Sequence, residues 1–271
     1  MNKEISSFIS IIIPVYNNEK EIAETLQSVK NQTFTNWECI VINDGSIDHS
    51  EMVILENISG DNRFQYCFQE NKGVCVARNS AIEISKGNYI LPLDGDDLLS
   101  PEFLTRTVAV LDSRPEINVV YTDVQFFGKK KGLYQLPSYS LEALLGQNLM
   151  VCTSLFRRVD YDKTIGYNPN MQEGLEDWDF WLSLLGNGGN AYKIPEALFY
   201  YRIQSKSRTT RINLEKQHLL RRQIYENHKD LYASHFFDPK LSFEYTNLLH
   251  SKEYRFGSFL LKPLRLLKSL F

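Results

Sequence analysis

Two acidic segments of this 271-residue chain carry residue types that do chemistry: Asp94-Gly95-Asp96-Asp97 and Glu176-Asp177-Trp178-Asp179-Phe180-Trp181. On an extended backbone Asp94 and Asp96 point to one side, with α-carbons roughly 6.6 Å apart. Two carboxylates drawn to about 4 Å repel by roughly 4 kcal/mol at an effective dielectric near 20, and a divalent cation relieves that repulsion. An all-oxygen donor set suits Mg²⁺ or Mn²⁺, ions that keep several waters and take phosphate oxygens. The plainer alternative is a solvated acidic loop ahead of a helix at Ser100. In the second segment, acids interleaved with tryptophans at a helix start suit a general base beside a sugar-stacking wall. They suit equally well acids drawn to a helix N-terminus, with the tryptophans in the core.

The elements that must position these residues are legible in the first half. Phe8–Val15 reads as a buried strand, Trp37–Ile42 as a second apolar strand, and Arg63–Phe68 and Asn88–Leu93 as a third and a fourth. Ile22, Leu26 and Val29 keep helical spacing, as do Val74, Ala77, Ala81 and Ile84, and a further helix is expected over Ser50–Ile58. Ser100-Pro101 has the order of an N-cap followed by the first helical position. Strand and helix alternate, so the pattern predicts an α/β fold with a mostly parallel sheet covered by helices. Ligands of such sheets bind beyond the carboxyl ends of the strands. All four strands exit into polar segments: Pro14-Val15-Tyr16-Asn17-Asn18-Glu19, Asn43-Asp44-Gly45-Ser46, Asn71-Lys72-Gly73 and the first acidic cluster. Turn chemistry alone favours such residues, but four exits converging on one sheet edge point to a site. There Asp44 can accept a hydrogen bond from the ring N–H of a base, or close an Asx-turn. Arg78, on the helix after Gly73, can reach a phosphate or the acidic cluster, or form a surface ion pair. Asp97 is expected to face away.

The second half is less regular. Val119–Phe127 and Ala197–Ile203 read as strands, Gly128–Gly132 as a solvated turn, Asp177–Leu185 as a helix and Asn213–His235 as a charged helical stretch. The pattern places a domain boundary near residue 210, with a catalytic body over residues 1–210 and a helical extension over 211–271. A formal net charge of −3 argues against a nucleic-acid partner held by bulk charge. Cys39, Cys67, Cys75 and Cys152 form no CxxC pair and read as small buried hydrophobes of a reducing compartment. The first apolar run is too short for a signal peptide, and none reaches the ~20 residues of a spanning helix, so the expectation is a cytoplasmic body.

Taken together, Ile13-Pro14-Val15-Tyr16-Asn17, Ile42-Asn43-Asp44-Gly45-Ser46, Asn71 to Asn79, Leu93-Asp94-Gly95-Asp96-Asp97 with Pro101, and Gly174 to Trp178 resemble glycosyltransferase family 2. These are inverting enzymes of GT-A fold. The resemblance runs from about Ser10 to Arg208 and implies a role for each matching position. Pro14, Tyr16 and Glu19 line the nucleotide pocket of a nucleotide-sugar donor, with UDP the default. Asp44 contacts the base and Arg78 positions the donor. Gly95, Glu176 and Trp178 border the sugar. Asp94 contacts ribose or metal, Asp96 ligates Mn²⁺ or Mg²⁺, and Asp177 is the base that activates an acceptor hydroxyl on a saccharide or lipid-linked acceptor. Where many members carry a metal-binding His, this chain has Gln204, a weaker ligand. The processive QxxRW motif is absent. A nucleotidyltransferase would open with a Gly-rich loop after the first strand. An inactive binding or scaffold protein would not need Asp94, Asp96 and Asp177.

Residues 254–271 carry Lys262, Arg265 and Lys268 among leucines. That pattern suits a helix lying on the inner face of a membrane, or one packed on the body or on a second copy in a homodimer.

Overall fold

The computed structural model describes residues 7–204, 213–235 and 242–268, with side chains to residue 261. The first half alternates as β1 (Ile9–Val15), α1 (Ile22–Lys30), β2 (Trp37–Asp44), α2 (Ser50–Ile58), β3 (Phe64–Gln69), α3 (Val74–Ile84), β4 (Tyr89–Pro92), β5 (Leu98–Leu99) and α4 (Phe103–Ser113). The second half contributes β6 (Val119–Gly128), β7 (Gly132–Tyr134), α5 (Leu141–Gly146), β8 (Leu155–Arg157), α6 (Arg158–Tyr161), α7 (Glu176–Leu185) and β9 (Ala191–Ile203). Four helices follow: α8 (Leu214–Asn227), α9 (Lys229–His235), α10 (Phe243–His250) and α11 (Lys252–Lys268).

The described strands form one sheet in the order β3-β2-β1-β4-β8-β6-β9-β5, with β7 paired to β6. From β3 to β4 every pairing is parallel. All seven residues of β1 are buried, as expected of a central parallel strand covered on both faces. The second half is mixed. β8 inserts antiparallel between β4 and β6, while β6 and β9 run parallel. The fold is α/β, as the alternation predicts.

Two boundaries differ from the sequence reading for physical reasons. Strand β9 begins at Ala191 rather than Ala197, and its register with β6 jumps from Thr122↔Ile194 to Asp123↔Ala197. Pro195 lies in the skipped stretch; it has no N–H to give the ladder, and the break hides the strand's first half. Helix α4 begins at Phe103, not at Ser100-Pro101. Ser100 N instead donates to Leu198 O (2.8 Å), extending the β5–β9 ladder where Leu98 faces Tyr200.

The boundary expected near residue 210 lies outside the described residues. Beyond it, Leu220 and Ile224 of α8 enter the common core. The buried carboxylate of Asp179 on α7 accepts from Asn227 Nδ2 (2.7 Å) and lies 3.0 Å from His228 Nε2. Tyr232 OH donates to Leu145 O, and α10 packs on α5.

Candidate active site

The parallel half presents its strand exits as one connected edge. Asn17, in the left-handed region at φ 56°, donates its N–H to Ser46 Oγ and accepts from Ile47 N. Asn18 N donates to Ser50 Oγ, and Glu19 Oε2 accepts from His49 N at the start of α2. Tyr16 stays half exposed on this edge. Pro14 lies inside β1 opposite Ile42, and its carbonyl would stand 3.3 Å from a Cβ at Gly95. Any side chain at residue 95 would therefore crowd the first exit.

Asp44 ends β2, two strands from β4, so it stands apart from the acidic cluster rather than beside it. Its Oδ1 accepts from Gln69 Nε2 (2.6 Å) and Lys72 N (2.9 Å), and its Oδ2 from Gly73 N (3.0 Å). With two acceptor sites per oxygen, one site on Oδ2 remains for a ligand. Gly73, at φ 86°, takes a conformation that L side chains rarely adopt, and it brings its N–H to this carboxylate.

The acidic cluster follows β4. Asp96 Oδ2 accepts from Gln204 Nε2 (2.9 Å), and Arg202 Nε donates to the Asp96 carbonyl (2.7 Å). Burial, followed by the nearby Asp94 charge, pushes the Asp96 carboxyl up to about 6. Asp97, expected to face away, turns inward: its buried Oδ1 accepts from Arg202 N (2.7 Å). Burial, reinforced by Asp96 and Asp94, drives its carboxyl well above the usual range. Among the described residues no three His, Cys, Asp or Glu side chains form a metal cage.

Arg78 is not the surface ion pair that its position allows. It is buried, donating from Nη2 to Asp94 Oδ1 (2.6 Å) and from Nη1 to Glu176 Oε1 (3.0 Å). Its guanidinium stands 5.2 Å from the Tyr167 ring centroid. One cation thereby ties the exit of β4 to the first turn of α7.

Helix α7 starts after Leu175, a non-glycine residue held at φ 57°. Asp177 Oδ2 accepts from Asn148 Nδ2, and its Oδ1 from Trp178 N, both at 2.9 Å. Burial, followed by the charge of Glu176, pushes the Asp177 carboxyl up to about 6. A carboxyl with that value is ionised at neutral pH yet takes up a proton more readily than an ordinary carboxylate, which is the tuning a general base needs. Asp94, Asp97, Glu176 and Asp177 share one cleft of about 370 Å³ with Cys152 and an aromatic wall of Phe126, Tyr134 and Tyr201.

Trp178 does not form that wall. Its indole Nε1 donates to Leu144 O (2.7 Å) and its ring lies under Arg221, on the opposite side of α7. Trp181 packs against Phe156 and Phe180 in the core. For the tryptophans, the core reading applies. Sequence reasoning passed over Asn148, Tyr167 and the aromatic wall. The wall had a signal: Val124 and Phe126 alternate on β6, and the Gly128–Gly132 turn brings Tyr134 back across from them. The four cysteines are free thiols, and burial pushes those of Cys39 and Cys152 well up.

The family model described as glycosyl transferase family 2 matches residues 10–228. The chain belongs to glycosyl transferase family 2. A chondroitin synthase of Escherichia coli is 28% identical over 215 residues, covering 77% of this chain and 31% of the relative. The chain thus spans about a third of that protein. The GT-A fold is confirmed by solved structures. S. aureus TarS 1–349 in complex with UDP superposes with a TM-score of 0.66 at 23% identity, covering 89% of this chain and 74% of that one. A mannosyltransferase from Pyrobaculum calidifontis, in complex with GDP-Man and Mn²⁺, gives a TM-score of 0.60 at 15% identity, covering 93% and 83%. The resemblance that the five motifs carry is therefore met at the level of family and fold.

Proposed function

We propose that this chain transfers a sugar from a nucleoside-diphosphate donor, a UDP-sugar, to an acceptor hydroxyl with inversion, in the assembly of a surface polysaccharide or glycolipid. One observation carries the reading: Asp177, with its carboxyl near 6, and Asp94, held by Arg78, face the same cleft. Asp177 takes the proton of the attacking hydroxyl. Asn148 fixes the orientation of that carboxylate, leaving lone pairs on each oxygen directed elsewhere. Arg78 holds Asp94 at the mouth of β4, where ribose or diphosphate is bound. Pro14, Tyr16, Glu19 and Asp44 form the edge that receives the nucleotide. The relative named as a chondroitin synthase supports a polysaccharide product, and the neighbour bound to UDP supports the base.

The donor set suits a divalent cation shared with the diphosphate, not one caged by protein. Mg²⁺ and Mn²⁺ take one or two carboxylates and fill the remaining positions with water and phosphate. Asp96 offers a carboxylate whose value is raised by burial and then by the neighbouring Asp94 charge, both of which a cation would offset. Asp94 adds an oxygen, and Gln204 would add its amide oxygen after a half-turn of the amide. Such an ion supplies charge neutralisation to the departing diphosphate.

Helix α11 supports attachment to the inner face of a membrane. No described helix is long and apolar enough to cross one. Phe256, Phe259 and Leu260 are exposed on α11, whose sequence holds five basic residues and one acidic. Basic residues near an anionic surface contribute about 1 kcal/mol each. Membrane fractionation unchanged by deleting residues 254–271 would refute this attachment.

Donor hydrolysis measured with and without Mn²⁺ tests the central reading. UDP-sugar hydrolysis that needs Mn²⁺ and disappears in Asp177→Asn, with UDP binding retained, is the expected outcome. Near-normal transfer by Asp177→Asn would sink it.

A further inference from the structure

The cleft has two chemically opposite walls, and only one has a role so far. Carboxylates of Asp94, Glu176 and Asp177 line one side. On the other, β6, β7 and β9 present aromatic rings in register. Side chains two apart on a strand share a face, so Val124 and Phe126 point the same way. Tyr134 of β7 lies opposite Val124, and Tyr201 of β9 lies opposite Phe126. The Phe126 and Tyr134 rings stack at 5.5 Å with planes 15° apart, and Tyr201 meets Phe126 edge-on at 6.0 Å. Phe199 and Val124 lie buried beneath them. Tyr134 remains 48% exposed, at the end of a three-residue edge strand.

We propose that Phe126, Tyr134 and Tyr201 form the platform on which the acceptor sugar stacks, its apolar ring face on the aromatics and its hydroxyl edge towards Asp177. The proposal rests on the glycosyltransferase reading above and adds the acceptor's chemical class: a pyranose with one face of axial C–H bonds. Such a ring is apolar on its faces and rich in hydroxyl donors on its edge. A wall of aromatic faces opposite acceptor-only carboxylates is complementary to both. The platform also lies on the β6–β9 side of β4, whereas the edge assigned to the nucleotide lies on the β1–β2 side.

The test is saturation-transfer NMR on the full chain with UDP and Mn²⁺. The probes are the methyl β-glycosides of glucose, galactose and N-acetylglucosamine. At least one glycoside is expected to receive saturation, strongest at its axial ring protons. Tyr134→Ala should raise that glycoside's dissociation constant roughly fivefold to tenfold, and Tyr134→Phe should keep it within about twofold. UDP binding should be unchanged in both variants. A protein that hydrolyses the UDP-sugar but transfers saturation to no glycoside overturns the platform alone. So does Tyr134→Ala with unaltered glycoside affinity, or with UDP binding weakened in parallel. Loss of donor hydrolysis and glycoside contact together in the unmodified protein overturns the underlying reading, and the platform with it.

Discussion

Arg78 Nη1 stands 3.0 Å from Glu176 Oε1 in a pair that excludes water from both partners. The two residues come from α3 and α7, and the same guanidinium also holds Asp94. Removing one member of a buried pair strands the other charge, at a cost of about 3–5 kcal/mol. Arg78→Ala is therefore expected to lower unfolding stability by that amount in urea titrations. Arg78→Lys should recover little, because an ammonium cannot span two carboxylates with a planar fork. The double variant Arg78→Met with Glu176→Gln should be more stable than Arg78→Ala alone.

The raised carboxyl of Asp177 sets an acid limb on activity. With donor and Mn²⁺ saturating, kcat should rise with pH through about 6, where the base loses its proton. Glu176→Gln removes the charge that helps raise this value, so the limb should move down. Asn148→Ala removes a hydrogen bond that favours the carboxylate, so the limb should move up. The stability consequence has a definite sign. The folded state binds this proton more tightly than the unfolded chain, so the contribution is complete below about 3.8 and is lost as pH rises towards about 6. A pH series of chemical denaturation on Asp177→Asn against the unmodified protein reads it directly.

Gln204 touches Asp96 rather than standing free in a ligand shell. Outer partners of metal ligands typically change metal affinity 10- to 100-fold when removed, by rough precedent. Gln204→Ala should weaken Mn²⁺-dependent UDP binding in calorimetry by about that factor, and Gln204→His should strengthen it. Asp96→Asn should remove the dependence on Mn²⁺ altogether. UDP affinity in Asp96→Asn that still responds to Mn²⁺ would contradict the assignment.

Asp44 has a structural task beside any ligand. Asp44→Asn leaves at least one of the N–H groups of Lys72 and Gly73 facing an amide donor. An unsatisfied group costs about 1–3 kcal/mol when fully buried and less at this part-buried position. The variant is expected to melt earlier in calorimetry and to lose UDP affinity. Gly73→Ala should produce the same pair of effects through backbone strain at φ 86°.

The parallel half was legible because β1, β2 and β4 are apolar runs followed by polar exits, so strand pattern and turn residues agreed. Asp94, Asp96, Asp177 and Arg78 stood out by type and spacing, and folding brings Arg78 onto Asp94 and Glu176. The second half resisted for identifiable reasons. β8 has three residues, too few for a period, and β9 is interrupted at Pro195. Trp178 was ambiguous because helical spacing does not say which face meets the core; Leu144 O, thirty-four positions away, decided it. Asn148 was unreadable because its importance lies wholly in its partner. The aromatic wall arises from register between β6, β7 and β9, a long-range property that no local window contains.

Asp179 sits two residues after Asp177 on α7, clasped by Asn227 at the end of α8 and by His228 just beyond it. Through Tyr232 on Leu145 and the packing of α10 on α5, the C-terminal helices are braced against the catalytic body at several points. They therefore act as a strut rather than a leash. A surface that grips α11 would set the compass bearing of the cleft, not merely its distance. Acceptors delivered along that surface would arrive from a fixed direction.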